Sequence, residues 1–132
     1  MKLSKKSIAK LYTCHPDIVK VMGAAIVDSP YDFMITHGHR SLEEQAGLYA
    51  KGRTAPGRIV TYLDGHNKKS RHNLVPAMAC DIAVFVEKKL TWDETYYKIV
   101  AGHIKIVAKK LGIALKWGGD WKTFKDYPHF EL

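Results

Sequence analysis

Apolar positions along the chain recur at two periods, and the switches between them mark its elements. "SKKSIAKLY" reads as a short helix with Ser4 as N-cap, and "HPDIVKVMGAAIV" as a second with Pro16 in its first turn. In the second, Ile18, Val19, Met22, Ala25 and Ile26 fall at helical spacing and are expected to face a core. "YDFMIT" reads as a strand. "SLEEQAGLYAKG" opens with a capping box from Ser41 to Glu44 and stops near Gly52. The loop "RTAPGR" leads to "IVTY", a candidate short strand, and then to the polar, turn-rich "LDGHNKKSRHN". "ACDIAVFV" is the clearest strand and "TWDETYYKIVAGHIKIVAKKLG" the clearest helix. In that helix Thr91 and Glu94 suggest a capping box, and Tyr96, Ile99, Val100, His103 and Val107 a common face, with Gly112 as a stop. "IALKWGG" runs as a strand into a glycine turn, and "HFEL" is a terminal strand. Helices and strands mix without regular βαβ alternation. The predicted fold is therefore α+β: a small, largely antiparallel sheet with helices packed on one face. No repeat, low-complexity stretch or linker interrupts residues 1–132, so a single domain is expected.

Composition narrows the partners. The net charge is +8, from 21 Lys and Arg against 13 Asp and Glu. Such a charge suits a polyanion: nucleic acid, an anionic membrane or an acidic cell wall. The cations are scattered and no recognition motif is present, so nucleic acid is not expected to be the partner. No apolar run nears the ~20 residues that span a bilayer, so stable membrane insertion is not expected either. The basic start, "MKLSKKSIAKLY", is followed by no apolar h-region or cleavage site, and no signal peptide is read there. Two cysteines, Cys14 and Cys80, make no disulfide framework, and Cys80 in its apolar run reads as a small buried hydrophobe. Cytoplasmic synthesis with free thiols follows as the simplest expectation.

Strand alternation then singles out chemistry. In "ACDIAVFV", Ile82, Val84 and Val86 point one way, and Asp81, Ala83 and Phe85 the other. In "HFEL", Phe130 and Leu132 suit the core side, which leaves His129 and Glu131 opposite. Asp81 and His129 can thus share a sheet face if their strands lie close, and His72 in the polar approach could fold over that face. Two imidazoles and a carboxylate, with a fourth position left for water, make a competent catalytic zinc site, and the lack of clustered cysteines argues against a structural one. The alternative is a satisfied buried acid with incidental histidines. Asp126 lies three residues before His129 and would face away from it in a regular strand. Pro128 makes a helix there unfavourable, and a kinked entry would bring both side chains to one site. A carboxylate beside a metal-activated water can serve as general base.

These residues carry a resemblance. The sequence resembles the zinc peptidases of the D-alanyl-D-alanine peptidase (VanX/VanY) group, and most of all the small phage endolysins that cut L-alanyl-D-glutamate bonds in peptidoglycan. "SRH" (Ser70 to His72), Asp81 and "DYPH" (Asp126 to His129) match the family's Ser-x-His, Asp and acid-x-x-His motifs. "THGHRSLEEQAGLYAKGRTAPGRIVT" looks like its Gly-x-Arg-Ser segment with the following helix and loop, and "LKWGGDW" like its penultimate strand and turn. The likeness runs from about Tyr31 to the end. One departure stands out: Asp81 follows His72 by nine positions against seven in the commoner pattern, which implies a wider turn. The resemblance implies a hedgehog/DD-peptidase-like fold and zinc held by His72, Asp81 and His129. It further implies Asp126 as general base, Arg40 as the group that polarises the scissile carbonyl, and Ser70 as a hydrogen-bond partner of the substrate backbone.

Other side chains are weaker candidates. Asp120 reads as a turn acid that could touch substrate, and Trp117 and Trp121 as core or groove residues. His37 and His39 flank Gly38 next to Arg40 and are candidates to line the site. His103 reads as a core histidine, His15 and His66 as loop residues, and "HNKKSR" as a solvated face. The expected function is zinc-dependent hydrolysis of peptidoglycan stem peptides by a monomeric phage endolysin, made in the host cytoplasm and released to the wall at lysis. The alternatives are a D-alanyl-D-alanine carboxypeptidase or dipeptidase, and a zinc-stabilised wall-binding module that does not cut.

Overall fold

The described residues form four α-helices and five strands. The computed structural model describes residues 1–61, 63–65 and 70–132; the expectations for Tyr62, for His66 and for most of "HNKKSR" lie outside the described residues. Helix α1 (Lys5–Leu11) is capped by the Ser4 hydroxyl, which accepts from the Ser7 N–H, and α2 (Pro16–Ala25) by the His15 ring, which accepts from the Asp17 N–H. Strand β1 (Phe33–His37) follows, then α3 (Leu42–Ala50), which carries the complete Ser41–Glu44 capping box. β2 (Ala79–Val86) is long, whereas β3 (Lys89–Thr91) is short. Helix α4 (Glu94–Lys110), β4 (Lys116–Trp117) and β5 (His129–Glu131) complete the order.

The sheet is antiparallel throughout, in the order β1-β2-β5-β4, with β3 also on β2. Val84 pairs with both Phe33 and Thr91, and Asp81 with both His37 and His129. β3 and β5 therefore share the edge of β2 away from β1, end to end. Ile82 and Val84 of β2, Phe33 and Ile35 of β1 and Phe130 of β5 are fully or almost fully buried against Ile18 and Met22 of α2 and Val100 and Ile104 of α4. Each such side chain contributes roughly 1.5–3 kcal/mol by leaving water. Helix α3 adds nothing to this core; its one buried residue is Gln45, which bonds Arg40 instead.

Three details differ from the sequence expectations. β3 was not expected, because "EKKLT" is polar. It forms because Glu87 and Lys88 both take positive φ, as a primed two-residue hairpin turn requires. Thr91 thereby belongs to the strand, and the cap of α4 is Asp93, which accepts from the Thr95 N–H at 3.0 Å. The buried face of α4 is turned by one position to Tyr97, Val100, Ala101, Ile104 and Ala108, leaving Ile99 exposed. The phenol of Tyr97 drives this turn, since its hydroxyl donates to the Thr91 carbonyl and accepts from the Val84 N–H. Finally, "IVTY" forms no strand over its described residues 59–61; Ile59 and Val60 stay exposed. Cys14 and Cys80 are both buried and free, and no helix of the described residues is long and apolar enough to cross a membrane.

Candidate metal centre and active-site cleft

His129 is brought to Asp81 by strand register. The two are direct partners across β2 and β5, so their side chains share a face. His129 Nδ1 lies 3.1 Å from Asp81 Oδ1. His72 arrives from a one-turn 3-10 helix, Arg71–Asn73, capped at both levels by Ser70 and Asn73. Its Nε2 is 3.3 Å from the same Asp81 oxygen. The backbone around it is stitched down: the Arg40 N–H donates to the His72 carbonyl at 2.8 Å, and the Asn73 amide donates to the Arg40 carbonyl at 2.8 Å. The ligand-capable atoms of His72, Asp81 and His129 all lie within 4.8 Å of one another.

The donor chemistry of this trio fits a metal ion. The far nitrogen of each histidine is occupied: His72 Nδ1 is 2.8 Å from the Gly38 carbonyl, and His129 Nε2 is 2.8 Å from Glu131 Oε1. With a ring N–H on each of those acceptors, the neutral imidazoles would offer the lone pairs of His72 Nε2 and His129 Nδ1, the two atoms that face Asp81 Oδ1. His72 Nε2 is buried and makes no hydrogen bond of its own, as an atom held for a ligand does. The group can hold a metal ion.

Electrostatics lock the trio. Burial disfavours a charge on Asp81, but His72 and the bonds with His129 and His37 outweigh it and hold the carboxyl well below the usual range. Burial likewise opposes a charge on His129, yet Asp81 and Glu131 raise its pKa to about 9 in the metal-free protein. Glu131 is itself held low by His129, and Arg71 anchors its other oxygen at 3.2 Å.

The remaining expected residues fall around this set. Arg40 is buried, with Nη1 2.8 Å from Gln45 Oε1 and Nη2 3.2 Å from Asp81 Oδ2. It thus steadies the outer oxygen of Asp81 while the inner one faces the histidines. Asp126 reaches the cleft through a tight turn in which the His129 N–H donates to the Asp126 carbonyl at 3.2 Å. This is the kinked entry that Pro128 suggested. Gly118 permits it, because a Cβ there would collide with the Asp126 carbonyl oxygen and press on the His129 Cβ. Burial, then the Asp81 charge, push the Asp126 carboxyl up to about 6, against the pull of His129, His72 and Arg40. Ser70 is buried at the cleft wall, its hydroxyl oxygen engaged by the His72 N–H at 3.2 Å.

All of these line one cleft of about 920 Å³. Of the weaker candidates, Trp121 lines it beside the His129 ring, and His37 joins it, 3.5 Å from Asp81 Oδ2. Trp117 is a core residue bonded to the Tyr127 carbonyl, Asp120 pairs with Lys105, and His39 lies outside the cleft against the Leu74 carbonyl. His103 bonds the Ala25 carbonyl, as expected of a core histidine. Sequence reasoning gave no role to Gln45 or Glu131. Alternation had put Glu131 on the face of His129, a usable signal; a glutamine buried in a charged helix start gave none.

An open cleft with a buried His–Asp–His set, an acid of raised pKa and a buried arginine defines a hydrolytic enzyme with a place for a metal ion. The chain belongs to the phage L-alanyl-D-glutamate peptidase family, whose model matches residues 1–131. It is 42% identical over 130 residues to the peptidoglycan L-alanyl-D-glutamate endopeptidase CwlK of Bacillus subtilis, covering 89% of this chain and 72% of that protein. Over 132 residues it is 32% identical to the L-alanyl-D-glutamate peptidase of Escherichia phage T5, covering 99% and 88%. The crystal structure of the Serratia marcescens L-Ala D-Glu endopeptidase ChiX superposes with a TM-score of 0.80 at 29% identity, covering all of this chain and 90% of that one. The chain is a peptidase, and the α+β expectation holds.

Proposed function

We propose that the protein hydrolyses the L-alanyl–D-glutamate bond of peptidoglycan stem peptides, with zinc held by His72, Asp81 and His129. The observation that carries this reading is the convergence of His72 Nε2, Asp81 Oδ1 and His129 Nδ1 at the floor of the cleft, in a chain of this family. Zinc suits two neutral imidazoles and a carboxylate, and when bound it supplies a Lewis acid beside the reacting carbonyl. Asp126, with its pKa near 6, is matched to accept a proton from the attacking water near neutral pH and to return it to the leaving amine. Arg40 sets fixed positive charge where negative charge develops on the carbonyl oxygen. Ser70 offers its hydroxyl proton to the substrate backbone. Lys51, Arg58 and Arg71 line the cleft and complement the carboxylates of a stem peptide.

Every group in this scheme comes from one chain, which supports a monomer as the active unit. As a phage lysis enzyme it would be made in the host cell and act on the wall after release. Mass spectrometry of purified peptidoglycan, digested by the zinc-loaded protein, tests the reading. Stem peptides beginning with D-glutamate are expected. Loss of a terminal D-alanine alone would make it a carboxypeptidase, and intact wall would make it a binding module.

A further inference from the structure

The cleft extends past the metal set to a tryptophan that the scheme above leaves unused. Trp92 is 64% exposed, yet it lines the same cleft as His72, Asp81 and His129. Register explains its place. β3 ends where Thr91 pairs with Val84, three positions along β2 from Asp81, and Trp92 follows directly. His129 stands opposite Asp81 on the same edge of β2. The end of β3 at Thr91 is therefore about three strand residues, ~10 Å, from His129 along that edge, and Trp92 enters the cleft from there.

The indole is also held in place. It stacks on Tyr97 with ring centroids 6.1 Å apart and planes 9° from parallel. The Tyr97 hydroxyl is fixed in turn between the Thr91 carbonyl, at 2.9 Å, and the Val84 N–H, at 3.2 Å. A rigid, exposed aromatic face at a cleft wall loses little entropy on binding and gains by covering apolar surface.

The chemistry of the substrate says what that surface is. In peptidoglycan the L-alanyl nitrogen is joined through a lactyl group to a muramic acid ring. The sugar thus lies one residue from the L-alanyl–D-glutamate bond, within roughly 7 Å of it. A pyranose ring presents a patch of C–H groups on its face, which complements an indole. We propose that Trp92 forms a glycan subsite, stacking on the muramic acid ring on the amino-terminal side of the scissile bond. This rests on the peptidase reading above.

The test compares two soluble substrates: a muramyl-linked stem peptide, and the same peptide with its L-alanine N-acetylated and no sugar. Trp92→Ala is expected to lose about tenfold in kcat/KM on the first, mostly through KM, and to stay within about twofold on the second. Trp92→Phe should recover most of the loss. An equal loss on both substrates, or none on either, would overturn the subsite. A second arm needs no turnover. The N-acetylglucosaminyl–N-acetylmuramic acid disaccharide, without peptide, is titrated into the full-length protein while the indole N–H signals are followed by NMR. A shift of the Trp92 signal is expected, and its absence counts against the proposal. Disaccharide binding at Trp92 with neither peptide cleaved would sink the peptidase reading and keep the subsite. Cleavage of both peptides alike, with no shift, would do the reverse.

Discussion

Asp81 and His129 are direct partners across β2 and β5, and this pairing alone sets Asp81 Oδ1 3.1 Å from His129 Nδ1. Two of the three candidate metal ligands are thus placed by sheet register rather than by a loop, and a rigid element fixes ligand geometry better than a mobile one.

The three ligands should fail together. His72→Ala, Asp81→Ala and His129→Ala are each expected to weaken zinc binding by more than about 100-fold, read as metal per chain after dialysis against a mild chelator. Asp81→Ala should also destabilise the metal-free fold by about 3 kcal/mol, because it leaves the buried Arg40 guanidinium with Gln45 but no carboxylate. Zinc retained at the wild-type level by Asp81→Ala would remove that residue from the site.

Glu131 should matter through His129. Glu131→Ala frees the His129 Nε2–H and is expected to lower zinc affinity by about tenfold to 100-fold. Glu131→Gln keeps an acceptor oxygen and should lose much less. Equal affinities in a chelator competition would show that the 2.8 Å contact does not orient the ring.

Protons should compete with the metal at His129. Its pKa of about 9 means that below this pH zinc must displace a proton. Zinc affinity should therefore rise about tenfold per pH unit between ~6.5 and ~9, then level off. In the metal-free protein the sign is opposite. The folded-state pKa is raised, so its stabilisation is complete below about 6.5 and is lost as pH rises through about 9. Competition titrations and urea melts across this range read both effects, and flat profiles would contradict them.

Asp126 separates chemistry from structure. Asp126→Asn should abolish turnover while zinc content and fold persist. The wild-type carboxyl, with its pKa raised to about 6, binds its proton more tightly folded than unfolded. Metal-free stability should thus fall as pH rises from about 4 to 6, and the variant should escape that loss. Above pH 7 it is expected to be the more stable by on the order of 1–3 kcal/mol, with little difference near pH 4. Full peptidase activity in the variant would exclude Asp126 as the general base.

Gly118→Ala tests the turn that delivers Asp126. The added methyl meets the Asp126 carbonyl and the His129 Cβ. A loss of about 1–3 kcal/mol by denaturant melts is expected, with turnover falling further than zinc affinity. A variant as stable and as active as wild type would mean that the turn yields without moving the acid.

Much of this could be read along the chain, because local physics fixes it. Alternation in "ACDIAVFV" put Asp81 opposite the core side, and the same rule put His129 and Glu131 on one face of "HFEL". The caps at Ser4 and Ser41, the boundaries of β2 and the acid-x-x-His kink are equally local. The polar hairpin at Glu87 and Lys88 escaped because two positive φ values on ordinary residues follow from pairing with β2, not from the residues themselves. The buried face of α4 shifted for a similar reason, since the Tyr97 hydroxyl had to reach the strands.

The tertiary structure decided which groups meet. Simple alternation would put His37 on the side of Ile35, in the core; a register shift between them pairs His37 with Asp81 instead and turns it into the cleft. Arg71 became a clamp for Glu131, and Arg40 for Asp81, only when segments 60 and 41 residues apart in the chain closed around β2. The sequence determined the chemistry available and the face on which each strand displays it. Packing determined which lone pairs converge and which N–H groups are tied back, because hydrogen bonds between distant segments have no signature in local periodicity.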